Sequence, residues 1–440
     1  MKIAIIGAGW YGCHMALELK KSGHDVELFE KNRSIMSGIS GTFGIRLHRG
    51  PHYPRSKKTR EICSTNFDSF IELYPELVVE LEHAYYALGM KDAHQNPPKV
   101  DANHFESVCQ EVDDCQTIIP DQTSYNSIQS LYNLNEPSIA LGNRLRTFFE
   151  KKLEQANIKV NLNSPVKDMR DLGTGVEVIA KDSNMLFDSA INATSFKDCT
   201  SNLQDLQLPA DLQITFQVCL ALVYRDKQSN GKPFSFIVMD GWYPCLMPTV
   251  KDDEFDNTYI LTHGCYTIMA SCQTPEHAKA ILDDYTDDFI NEGPRNSSEQ
   301  DMLRYCPDFL DRFEYLGWKG EVLAKPRTKS EFRSAITFGY GNIVHVIPGK
   351  VSNVINAANE SRQIIENRNC KKSGNVTYAS HGILDIAQKD IEDHPVSSDA
   401  STVNLNIYSS KENKYNPTLF GSRKSTPPSD SLSQERRPKI

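Results

Sequence analysis

Three glycines spaced G-x-G-x-x-G within the first dozen residues constrain this chain most. Gly7, Gly9 and Gly12 end the apolar run Lys2-Ile3-Ala4-Ile5-Ile6 and open a helix-like segment beginning Trp10-Tyr11, with Met15, Ala16 and Leu19 on one face. A turn at Ser22-Gly23-His24 leads to a second run, Val26-Glu27-Leu28-Phe29, which ends in the acidic Glu30. Strand, glycine turn, helix, strand and carboxylate fall at the roughly 20-residue interval of a dinucleotide-binding βαβ unit. Gly7 permits the tight turn, Gly9 lets backbone approach a pyrophosphate, and Gly12 lets helix pack on strand. The helix N-terminus offers N–H groups and a positive dipole end to the phosphates. Glu30 is placed to accept hydrogen bonds from ribose hydroxyls.

With 440 residues the chain is long enough for two domains, and its net charge of −9 is that of an acidic globular protein. Basic residues are not gathered into one stretch, so nothing suggests a nucleic-acid footprint. No run approaches the roughly 18 apolar residues needed to span a bilayer. The apolar start is too short for a signal peptide and breaks at the glycine turn. Eleven scattered cysteines with no C-x-x-C pair point to reduced thiols in a reducing, cytoplasmic setting, and to no metal site.

After Glu30 the loop Lys31 to Gly44 is rich in Gly and Ser, suited to a second pass of backbone along a pyrophosphate. The block Ile45 to Ser56 then crowds Arg46, Arg49, Arg55, His48, His52 and Tyr53 among two prolines and a glycine. Arg can clamp a carboxylate or phosphate with two bonds; His and Tyr can donate or accept protons; a solvated basic turn is the plain alternative. Residues 59–86 read as helix broken at Pro75, and 139–156 as a helix capped by Ser138. Residues 157–193 alternate as strands, 214–267 are mostly strand, and 275–315 are helical. Met239 to Pro248 fits an apolar pocket wall or a plain β-core. A late strand, Ile343 to Ile347, runs into Pro348-Gly349-Lys350 and a further helix to about Asn367. Beyond Cys370 the periodicity fades into a largely disordered tail, 370–440, with room for a short docked helix at 382–387.

The glycine fingerprint with Glu30, the Ser40-Gly41-Thr42 loop, the strand Asp188 to Thr194 and the Pro348-Gly349-Lys350 junction, in that order, resemble the FAD-dependent oxidoreductases related to D-amino-acid oxidase and glycine oxidase. The resemblance implies an α/β fold: a discontinuous Rossmann-type FAD-binding domain with an inserted α+β, mainly antiparallel, substrate domain. The FAD-binding parts would be 1–75, 140–205 and 320–368, and the substrate parts 76–139 and 206–319. By the same resemblance Gly7, Gly9, Trp10, Tyr11, Gly12, Glu30, Lys31, Arg33, Ser40 and Thr42 line the adenosine and pyrophosphate path. Val166 meets the adenine, Ala193 and Thr194 pass close to the cofactor, and Gly349, Lys350, Val351 and Ser352 reach the flavin. Relatives usually carry Gly after the Ala-Thr pair; here Ser195 follows.

The implied activity is hydride transfer from a C–N, or C–O, bond of a small polar substrate such as an amino acid or amine. The candidates over the flavin are His52, Tyr53, Arg46 and Arg333, with Arg327 and His263 in reserve. The alternatives are a non-redox flavoenzyme of the sugar-nucleotide mutase type and a flavin-binding protein without turnover.

Overall fold

The computed structural model describes residues 1–393 apart from 44, 122, 182, 202, 204 and 328–331. Two large sheets organise them. The first has eight strands in the order Cys370–Ser373, Val376–Ala379, Ile336–Tyr340, Ile343–Ile347, Ser189–Asn192, Lys2–Ile6, Asp25–Phe29 and Lys159–Asn161. From Ile343–Ile347 to Lys159–Asn161 its strands are parallel. A parallel strand is covered on both faces and so reads as a continuous apolar run. In Lys2–Ile6 the alternation sorts the coverings. Ile3 and Ile5 pack with the helix Trp10–Lys21, while Ala4 and Ile6 pack with Met169, Val176, Val178 and Phe187 of a three-stranded sheet.

The helix Val354–Ile365 lies beside Trp10–Lys21. It buries small residues, Ala357, Ala358 and Ser361, which allow close approach. The second large sheet has nine strands drawn from 84–133 and 213–327. Its spine is the pair Gln213–Asp226 and Phe313–Arg327, antiparallel along their whole length; a parallel pairing joins Ser235–Met239 to Ala84–Gly89. The expected boundary at 320 falls inside the strand Phe313–Arg327.

Local expectations differ from the structure at three places. The helix expected over 59–86 ends at Leu73, and Ala84–Gly89 is instead a central strand. Ser138 is not a helix cap: Ser138–Ile139 pairs with Ile45–Arg46 and Val78–Val79, and the next helix starts at Gly142. The disordered tail does not begin at 370. Cys370–Ser373 and Val376–Ala379 extend the first sheet from its edge strand, and the helix Ile383–Asp393 buries Ile383, Leu384 and Ala387. Two short strands give too little periodicity to read, and the edge of Ile336–Tyr340 is what they cover, whereas the short helix expected at 382–387 is present within Ile383–Asp393. Residues 394–440 lie outside the described residues.

The last helix is fastened through a buried acid. Glu360 Oε1 accepts the Ile383 N–H at 2.8 Å. Burial holds the Glu360 carboxyl up at about 8, against the lowering effect of that bond. A raised folded pKa means the stability it contributes is present below the ordinary carboxylate range and is lost as pH rises toward 8. Wild type is therefore expected to lose on the order of 3 kcal/mol more than Glu360→Gln between about pH 5 and about pH 8. Urea unfolding at the two pH values measures this, and parallel curves would refute it.

Candidate active site

The glycine turn is shaped for a close ligand. Gly7 sits at φ +101°, where a side chain is strained, and a Cβ there would lie 2.7 Å from the Ala193 carbonyl oxygen. A Cβ on Gly12 would overlap the Gly7 carbonyl oxygen. Gly9 provides no side-chain cap to the helix Trp10–Lys21. The Trp10 N–H donates instead to Ser40 Oγ at 3.1 Å, which brings the helical turn Ile39–Thr42, within the stretch expected as loop, to the helix end. Glu30 is buried, with Oε2 accepting from Ala8 N at 3.0 Å and Oε1 from Asn32 N at 2.9 Å. Oε1 also accepts from Asn32 Nδ2 at 2.8 Å, while Oε2 retains lone-pair capacity toward a hydroxyl.

The other expected cofactor residues take varied places. The Trp10 indole is in the core against Phe70, Tyr74 and Phe149, so only its backbone faces the loop. Lys31 pairs with Asp198 at 2.9 Å, and Arg33 is exposed. The Thr42 hydroxyl turns back to the Gly38 carbonyl, while the Thr42 carbonyl accepts from Lys319 of the second sheet at 3.1 Å. Val166 begins the strand Val166–Asp171. Ala193 continues the Ser189–Asn192 strand, its N–H on the Ile6 carbonyl. The Thr194 hydroxyl is spent on Asn192 Oδ1 and the Asp198 carbonyl. Ser195 adopts φ +62°, the left-handed conformation that favours glycine.

At the far end Tyr11 is a strut. Its hydroxyl donates to the Lys350 carbonyl at 2.7 Å and accepts from Gly349 N at 3.0 Å. Asn353 Oδ1 accepts from Lys350 N and Ala335 N, fixing Gly349 and the turn Val351–Asn353. Val351 and Ser352 are buried.

The Ile45 to Ser56 block divides into a locked part and an open part. Arg46 is locked. Its guanidinium donates to Glu136 Oε2 at 2.9 Å, to Ser235 Oγ at 3.2 Å and to the Tyr86 hydroxyl. Both ends of the ion pair are buried. This ties down Nη1 and Nη2 and leaves the buried Nε without a partner. Glu136 Oε2 also accepts from the Tyr86 hydroxyl at 2.6 Å, and Oε1 from Arg49 N at 2.7 Å. Burial would raise the Glu136 carboxyl, but the His48 hydrogen bond, the Arg46 charge and the Tyr86 bond hold it at about 2. His48 Nδ1 lies 3.5 Å from that carboxylate. Burial outweighs the partner and keeps the His48 imidazole neutral, with its pKa pulled down to about 4.

His52 and Tyr53 form the open part. The His52 ring stacks on His48 at 4.5 Å between centroids and 17° between planes, with Tyr53 edge-on to both. His52 Nδ1 and the Tyr53 hydroxyl are buried and have no hydrogen-bond partner. Buried polar atoms are seldom left so, and a bound molecule would satisfy both. Burial, then the neighbouring His48, Lys350, Arg46 and Arg333, push the His52 pKa well below its ordinary value. The Lys350 ammonium lies 4.6 Å from the centre of the Tyr53 ring. Arg333 is half-buried close enough to act on His52. The reserves fall elsewhere. His263 is tied to Asp301 at 2.9 Å in the core, and Arg327 bonds Gln213 at a strand end. Sequence reasoning missed Glu136 and Tyr86, because Asn135-Glu136-Pro137-Ser138 looks like an exposed turn and Tyr86 like part of a helix.

These features fit FAD: a Gly7 turn with no room for a side chain, a helix end whose N-cap Gly9 supplies no side chain, Glu30 with acceptor capacity left on Oε2, and unpartnered polar atoms near the 349–353 loop. Among the described residues no helix is long and apolar enough to cross a membrane, and no three metal-ligating side chains gather.

The family model described as "FAD dependent oxidoreductase" matches residues 2–363. FAD-dependent monooxygenase kojA of Aspergillus flavus is 44% identical over 416 residues, covering 93% of this chain and 97% of that protein. FAD-dependent monooxygenase FPY4 of Fusarium mangiferae is 27% identical over 367 residues, covering 83% and 91%. Among solved structures, glycine oxidase from Geobacillus kaustophilus superposes with a TM-score of 0.60 at 12% identity, covering 84% of this chain and 95% of that one. L-alpha-glycerophosphate oxidase from Mycoplasma pneumoniae, with FAD bound, gives 0.60 at 12% identity over 83% and 94%. The family model over residues 2–363 and the 44% identical relative agree, and the chain belongs to the FAD dependent oxidoreductase family, with FAD as its cofactor.

Proposed function

We propose that this enzyme removes a hydride from a carbon bearing oxygen or nitrogen in a small polar substrate held at His52 and Tyr53. The carrying observation is the pair of buried polar atoms without partners, His52 Nδ1 and the Tyr53 hydroxyl. FAD supplies the two-electron acceptor; the protein supplies orientation and electrostatics. Cofactor contacts are proposed for the Gly7–Gly12 turn, Glu30, the Ser40 loop, Val166, Ala193 and Gly349–Ser352.

Charge decides between the two bonds. The groups around His52 that carry charge are Lys350, Arg46 and Arg333, and the buried carboxylate nearby, Glu136, is consumed by Arg46, Tyr86 and Arg49. A protonated amine would meet the Lys350 ammonium, which no carboxylate among the described residues pairs. A hydroxylated substrate, neutral or anionic, suits it better. The favoured reaction is thus oxidation at a CH–OH carbon, with His52 neutral and acting as a hydrogen-bond partner.

A second reading, oxygen insertion, is favoured by the 44% identical relative being a monooxygenase by name. Both are tested by mixing holoprotein without oxygen against panels of hydroxylated molecules, amino acids and amines while following the flavin absorbance. Bleaching by hydroxylated members is expected; bleaching only by amines would overturn the assignment. Product formed under labelled dioxygen carries the label only if oxygen is inserted. Tyr53→Phe and His52→Asn should each slow bleaching about 10- to 100-fold, the worth of one hydrogen bond to a charged or developing-charge group.

A further inference from the structure

We propose that Lys350 is the base that takes the proton from the substrate hydroxyl. The inference rests on the site reading above and adds to it the group that moves the proton. Lys350 follows the Pro348-Gly349 junction, and its backbone is held on three sides. Tyr11 takes its carbonyl, Asn353 Oδ1 takes its N–H, and Asn353 N donates to the same carbonyl at 3.0 Å. The side chain crosses from this loop to the Tyr53 ring. No carboxylate among the described residues pairs with its ammonium.

Its surroundings disfavour the charged form. From the 45–56 segment it faces Arg46, His48, His52 and Tyr53. Arg333 stands beyond His52, and Glu136 is turned to Arg46. The helix Lys57–Leu73, packed on the turn Val351–Asn353, contributes the buried Cys63 thiol, while its Arg60 is drawn off to Glu111. Tyr11, from the first helix, is a neutral phenol raised by burial. Burial first, then the Arg46 charge, bring the Lys350 pKa down to about 8. That is the range in which a lysine works as a general base at neutral pH.

The comparison with His52 is what selects Lys350. Both belong to one electrostatic neighbourhood, but the imidazole is depressed far below neutrality and holds its proton poorly. The amine both accepts a proton and releases it near neutral pH. In the step, the substrate O–H bond breaks and its electron pair stays on oxygen. The proton bonds to the Lys350 Nζ lone pair, which becomes the ammonium. The resulting alkoxide is stabilised by that ammonium and by the Tyr53 hydroxyl.

Two measurements test this on the flavin-loaded protein. The first needs no turnover: competitive acetylation of lysines across pH, read by mass spectrometry. Lys350 should reach half its maximal reactivity near pH 8, about 2 units below exposed lysines. The second is the pH dependence of flavin bleaching by a hydroxylated substrate. Wild type should speed up about tenfold per pH unit below its midpoint and level off above it. Lys350→Met should lose that rise and fall about 100-fold or more at pH 8. Lys350→Arg, which keeps charge and bulk but cannot give up its proton, should be as slow while retaining flavin. A rise that survives in both variants overturns the role of Lys350 and leaves the site reading standing. Acetylation of Lys350 in step with exposed lysines also overturns it. Wild type that no hydroxylated substrate bleaches overturns both.

Discussion

Glu136→Gln should destabilise the protein by roughly 3–5 kcal/mol, the cost of leaving a buried cation without its partner. Glu136 is fully buried and Arg46 almost so, and the carboxylate accepts from Arg46, Tyr86 and the Arg49 backbone at once. The amide keeps the shape but loses the charge that compensates Arg46. Denaturant unfolding measures the loss. Arg46→Met in the Glu136→Gln background should recover part of it, since the pair is then removed together. The same carboxylate predicts an acid response. A folded pKa held at about 2 contributes stability that is present above the ordinary carboxylate range and is lost as pH falls toward 2. Wild type should therefore lose more stability than the double variant between about pH 4.5 and about pH 2. Unchanged unfolding in Glu136→Gln would mean that the pair does not form.

Gly7→Ala should weaken FAD binding about 10- to 100-fold, the equivalent of 1–3 kcal/mol of backbone strain. The added methyl meets the Ala193 carbonyl at 2.7 Å in a left-handed backbone. The turn must shift, and with it the helix end and the Ser40 loop. Gly23→Ala is the control. Gly23 also has a positive φ, +88°, but nothing lies within 4 Å of the added carbon. That variant should lose some stability and keep its FAD affinity. Fluorescence titration of apoprotein with FAD compares the two, and equal weakening would remove the steric argument.

Much of the cofactor side was legible because its geometry is written in local spacing. Gly7, Gly9, Gly12 and Glu30 act through turns and strand ends within 30 residues of one another, and the structure brings Ser40 and Gly349 to the same helix. The substrate side was legible only in part. His52 and Tyr53 were singled out from their crowding with arginines. The pairing of Arg46 could not be read, because its partner Glu136 lies 90 positions away in a turn-like stretch. Lys350 was visible as a junction residue, but its side-chain environment depends on the 45–56 segment folding back on it. The strands at 370–379 were missed for a similar reason: their stability comes from the edge they cover, not from their own sequence.

The most direct test is a crystal structure of the holoprotein with a hydroxylated ligand. The expected result is an adenosine ribose on Glu30, a pyrophosphate at the Gly9–Trp10 helix end, and a flavin edge on Gly349–Ser352. The ligand hydroxyl should lie within about 3 Å of the Lys350 amine or the Tyr53 hydroxyl, with His52 Nδ1 also satisfied. A flavin on these segments with His52, Tyr53 and Lys350 walled off from its ring, and the ligand bound elsewhere, would contradict the account.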